Sequence, residues 1–146
     1  MLKRKKRPAK FKGLEFGPKY ARRTSERSTL IKQCDELLSR IVRIEDKCCL
    51  YCRRVWDFKK LYNHHIFSRK NMGTRFYRPG CICLCFSCHD GVAHTDPEIF
   101  RDWLIKRIGQ KEYDLLKFKA MSRTKFTVAD LRMIKFDLQK QLKRLT

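Results

Sequence analysis

The sequence predicts an α+β fold in which a small metal-organised core is flanked by helices. Three observations carry this. Two Cys-x-x-Cys pairs, Cys49/Cys52 and Cys85/Cys88, bracket a stretch with short β-leaning runs. Apolar residues recur at helical spacing before and after that stretch. Ahead of both lies a basic segment without apolar periodicity. The 146 residues, 42% of them hydrophobic, hold enough apolar material for one modest core.

In order along the chain, residues 1–29 read as a solvated basic arm, with eleven of the 36 Lys and Arg and only two of the 15 acids. Residues 30–146 then form the folded unit. Leu30, Ile31, Cys34, Leu37, Leu38, Ile41 and Val42 predict a helix over about 29–44, with Ser28 or Thr29 as its cap. From Lys47 to Cys88, turn residues separate two strand-like runs, Leu61–Phe67 and Cys81–Leu84. Thr95-Asp96-Pro97-Glu98 opens a helix that Gly109 closes, and a second helix follows from Gln110 to about Ala120. Thr127 and Asp130 form a capping box for a last helix, whose apolar stripe is Leu131, Ile134, Leu138, Leu142 and Leu145.

Charge narrows the choice of partner. The net charge is +21, and beyond residue 29 there are still 25 basic residues against 13 acidic, so the folded part is basic in its own right. A polyanion is the simplest complement, and nucleic acid is expected ahead of an anionic membrane surface. No apolar run approaches a bilayer span and no signal segment opens the chain, so a cytoplasmic location is expected. Eight cysteines in such a compartment point to metal chemistry rather than to disulfides.

Four thiolates in two knuckles close a tetrahedral zinc shell. Cys48 could replace Cys49 and Cys83 could replace Cys85, but only 49/52 with 85/88 makes two matching knuckles. Cys34, Cys81 and Cys83 are then expected as small packing residues. Between the knuckles lies Asn63-His64-His65-Ile66, and His89 follows the second knuckle directly. Zinc drawing the knuckles together would carry His89 toward His64 and His65. Neighbours on a strand point to opposite faces, so one metal ligand and one base is the economical assignment for the two adjacent histidines. His94 stands as a subsidiary residue, able to assist His89 or to precede the next helix as a cap.

The order CxxC, His-His-Ile, loop, CxxC-His resembles the zinc-stabilised HNH endonucleases, whose core is a ββα-metal site. The run Ile66–Phe76, with Ile108–Tyr113 and Phe126–Leu131, more narrowly resembles the phage NinG (Rap) recombination nucleases. The resemblance implies a metal-dependent endonuclease hydrolysing DNA phosphodiester bonds, acting in phage recombination and on branched DNA. It makes His64 and His89 ligands of a catalytic divalent ion and His65 the general base. Mg²⁺ or Mn²⁺ is the implied ion, and the softness of imidazole extends the choice to Ni²⁺. Arg69, Lys70 and Arg75, in the loop after the base, are expected to contact DNA phosphates. One position departs from the pattern: the central Asn of HNH sequences falls on Gly80, so Asn63, Asn71 or a backbone carbonyl must orient the base. The rival classes are a non-catalytic zinc module that binds nucleic acid on a degenerate HNH fold, and a basic assembly protein.

Overall fold

The computed structural model describes residues 25–146, and the arm expected at the N-terminus lies outside the described residues as far as residue 24. Helix α1 spans Glu26–Asp46 and starts earlier than its apolar stripe suggests. The cap is Ser25, whose side chain accepts from the Ser28 N–H, rather than Ser28 or Thr29. The polar run Glu26–Thr29 adds a helical turn that periodicity alone does not mark. Leu30, Cys34, Leu38, Ile41 and Val42 form its buried face, and Lys47, in a left-handed conformation, ends it.

The expected strand runs become β1 (Leu61–His65) and β2 (Cys81–Cys85), one antiparallel pair and the only sheet among the described residues. Its register sets Tyr62 opposite Leu84, His64 opposite Ile82 and His65 opposite Cys81. β1 stops two residues before the end of its apolar run, at the Ile66 N–H donating to the Gly80 carbonyl. Between the strands lies a short helix, α2 (Met72–Arg75). After β2 the chain makes one turn, α3 (Phe86–Cys88), that runs into a π-helical turn over His89–Ala93.

Helices α4 (Pro97–Ile108), α5 (Gln110–Met121) and α6 (Val128–Leu145) follow their punctuation closely. Gly109 takes φ +86° between the first two, and Thr127 and Asp130 make the expected box. The stripe on α6 packs on α1, with Leu131, Leu138 and Leu142 buried. Glu26 meets Arg132 near the starts of the two helices and Glu45 meets Gln141 near their ends, so α1 and α6 run parallel.

The core lies where α1 backs the hairpin. All five residues of β2 are buried, and Cys34, Cys81 and Cys83 pack there as apolar residues. A polar clamp fixes the end of α1 to the same strand: Asp46 accepts from the Cys83 N–H at 2.8 Å and from Arg78 at 2.6 Å, while Arg78 also meets Glu45 and the Cys81 carbonyl. No helix among the described residues is long and apolar enough to cross a membrane.

Candidate metal centres and the histidine cleft

Both knuckles are built on β2. The first, Cys49–Cys52, is closed by the Arg53 N–H donating to the Cys49 carbonyl at 2.8 Å, with Arg53 at φ +62°, and it is pinned to the strand by the Leu50 N–H donating to the Cys83 carbonyl at 2.9 Å. The second begins as the strand ends, at Cys85. Four sulfurs therefore converge within 4.8 Å of one another: Cys49, Cys52, Cys85 and Cys88. Neither Cys48 nor Cys83 belongs to the set.

Zn–S bonds of about 2.3 Å in a tetrahedron require sulfurs about 3.8 Å apart, and Cys52 and Cys85 stand at 3.9 Å. Charge makes the same point. Burial pushes the thiols of Cys49 and Cys88 up. At Cys52 the raising effect of burial is outweighed by the Arg54 backbone N–H and the surrounding thiols, which lower it to about 7. Four thiolates share this space comfortably only around a cation, and the donor set fits a structural metal such as zinc.

A second cluster forms on the far side of the hairpin. His64, His89 and His94 bring one ring nitrogen each within 4.8 Å of the others, and their ring centroids are 4.6–5.7 Å apart. His64 is seated against Phe100 of α4, and burial, with the neighbouring imidazoles, pushes its pKa down to about 3. It is a neutral ring at physiological pH, the protonation state that ligates metal. His89 Nδ1 lies 2.6 Å from Asp90 Oδ1. A carboxylate only accepts, so Nδ1 donates to Asp90, which leaves Nε2 as the nitrogen that could bind a metal.

His94, a subsidiary residue in the sequence, stands in the cluster beside His64 and His89. Five residues along an α-helix turn the chain by ~500°, leaving His89 and His94 ~140° apart. The wider π-helical turn His89–Ala93 narrows that separation and brings the two rings to 4.6 Å. No residue type in His89-Asp90-Gly91-Val92-Ala93 advertises a π turn.

His65 sits on the opposite face of β1, as strand alternation requires. Its Nε2 is 3.1 Å from the Arg75 carbonyl. A carbonyl cannot donate, so this nitrogen bears the proton and Nδ1 is left as a free acceptor. Burial lowers its pKa, partly opposed by the Arg75 carbonyl, so this ring too is neutral. The Arg75 carbonyl thus orients the His65 ring, a contact that Gly80, with no side chain, cannot make. Asn63 does not make it: its Oδ1 is buried without a partner. Gly80 is buried under Thr74, whose carbonyl would stand 3.3 Å from a Cβ added there.

The loop after His65 divides in role. Arg75 is committed within the protein: its Nε and Nη2 form a fork on Asp35 of α1 at 3.1 and 2.7 Å, and Nη1 donates to the Arg69 carbonyl. It therefore braces the carbonyl that holds His65, in place of the phosphate contact expected of it. Asp35 carries no signal in the sequence, because its partner lies 40 residues away. Arg69 lines a cleft of about 930 Å³ that also contains His64, His65, His89 and His94, and Lys70 is exposed beside it.

Compared with known proteins, residues 3–146 match the family model described as bacteriophage Lambda NinG protein. No curated protein and no solved structure matches the chain. The match takes in both knuckles, the hairpin with its histidines and all six helices. The chain therefore belongs to the NinG family.

Proposed function

We propose that this protein is a metal-dependent endonuclease of the HNH type that hydrolyses DNA phosphodiester bonds during phage recombination. One observation carries the reading: a neutral imidazole with a free Nδ1, His65, shares a cleft with a cluster of three imidazoles suited to a divalent ion. The hairpin with its following turn corresponds in this reading to a ββα-metal core, and the Cys₄ cluster to its structural zinc.

His64, His89 and His94 would hold the divalent ion, which when bound would supply positive charge at the scissile phosphate. His65 Nδ1 accepts the proton of the attacking water while Nε2–H stays on the Arg75 carbonyl, so the ring does not turn as it charges. The Asp35–Arg75 fork keeps that carbonyl in place. Arg69 and Lys70 attract the DNA backbone to the cleft. Three imidazoles form a softer donor set than Mg²⁺ prefers, which favours Mn²⁺, Ni²⁺ or Zn²⁺.

The test is nicking of supercoiled plasmid by zinc-loaded protein in Mg²⁺, Mn²⁺ or Ni²⁺, beside His65→Ala of equal zinc content. Wild type is expected to nick, and the variant to lose at least 100-fold, about the scale of a general base. Two folded, DNA-binding proteins that both fail to nick would leave a zinc module that only binds.

A further inference from the structure

Two large aromatic side chains stand exposed at the edge of the histidine cleft, where a folded chain has no packing use for them. Tyr62, on β1, is 42% exposed, and Phe86, the first residue after β2, is 60% exposed. Their rings are 6.2 Å apart, and the Tyr62 ring is 5.7 Å from that of His89. Neither ring drifts on a loose loop. Tyr62 is held in the strand register opposite Leu84, and Phe86 lies inside the second knuckle between Cys85 and Cys88.

The cleft beside them suits a polyanion. Arg43, Lys59, Arg69 and Arg101 line it against a single acid, Glu98. We infer that Tyr62 and Phe86 form a stacking platform for an unpaired DNA base next to a phosphate held in this basic cleft. This deepens the function proposed above and rests on it. Because Tyr62 adjoins His89 and lines the same cleft as Lys59, Arg69 and Arg101, a phosphate drawn to those cations brings its own neighbouring base over the ring. In a duplex both faces of each base are covered by its neighbours, so only a single-stranded or extruded nucleotide offers a face to stack. The favoured substrate is then DNA with an unpaired nucleotide at the scissile position, rather than continuous duplex.

The experiment measures binding of zinc-loaded full-length protein, without added divalent ion, to a fluorescein-labelled single-stranded oligonucleotide and to a blunt duplex of two annealed strands with the same total number of phosphates. Tyr62→Ala and Phe86→Ala are each expected to weaken single-strand binding about tenfold, the scale of one lost stack, and to change duplex binding less than twofold. Tyr62→Phe, which keeps the ring, should bind like wild type. Equal losses on both DNAs, no loss on either, or failure of Tyr62→Phe to retain binding overturns the platform; zinc content and melting temperature verify that each variant is folded. Binding is read without cleavage, so a protein that never nicks but shows the single-strand pattern refutes the nuclease and keeps the platform. One that nicks but lacks the pattern does the reverse.

Discussion

His64 pays for its place against Phe100 by giving up its charge, and that ties stability to pH. Unfolded, the ring titrates near 6.5; folded, it is pushed down to about 3 by burial and by the other imidazoles. Above pH 6.5 both states hold it neutral and it adds no pH dependence. Between pH 6.5 and 3 the unfolded chain binds the extra proton, so stability falls as pH falls, at a rate approaching about 1.4 kcal/mol per unit. Denaturant melts of protein without added divalent ion should show this loss in wild type, and His64→Phe should lessen it, leaving the share that His65 contributes in the same direction. An equal slope in both would place the titrating group elsewhere. His65 shows how far a residue's role could be seen in advance. The adjacency of two histidines on a strand already separates their faces, but the partner of each ring is a long-range fact: a carbonyl ten residues on for His65, and for His64 a cluster that needs an unheralded π turn.

At the scale of elements, the parts with local punctuation were legible and those with tertiary causes were not. Helices α4, α5 and α6 follow from Pro97, Gly109 and the Thr127 box, because each signal acts within one turn of the residue that carries it. The first turn of α1 is marked only by Ser25 and carries no apolar residue, and the π turn has no local mark. Nor does the close approach of α2 to α5, which depends on Gly73. A Cβ there would overlap the Lys119 carbonyl oxygen and the Ser122 hydroxyl, and the carbonyl belongs to a helix backbone that cannot simply swing aside. Gly73→Ala should therefore cost about 1–3 kcal/mol through forced separation of the two helices. Gly91, with open space around it and no positive φ, is the contrast: Gly91→Ala should change stability by no more than about 0.5 kcal/mol. Paired urea melts check both, and similar values for the two would remove the packing explanation.

Across the whole molecule, the eight cysteines sort into three environments. Four are committed to the metal cluster. Burial raises the thiols of Cys34 to about 11 and of Cys81 and Cys83 to about 12, leaving them inert inside the core. Cys48, half-buried next to the first knuckle, is outside both groups. Native zinc-loaded protein should thus release one equivalent from a thiol reagent, four more once a chelator strips the metal, and the last three only in denaturant. Peptide mapping that finds Cys49 labelled first, in place of Cys48, would reassign the ligand set.

The hairpin register has a consequence for how the two adjacent histidines acquire different identities. As chemical groups they are the same side chain, and only the parity of a strand position separates the ring that faces the cluster from the ring that faces the Arg75 carbonyl. A slip of one residue would exchange them without changing a single atom of composition. What forbids it is the neighbouring pair: the same slip would turn buried Leu61 outward and drive the larger Tyr62 into the core. Leu61 and Tyr62 therefore act as the reading frame of the site, telling two identical letters apart.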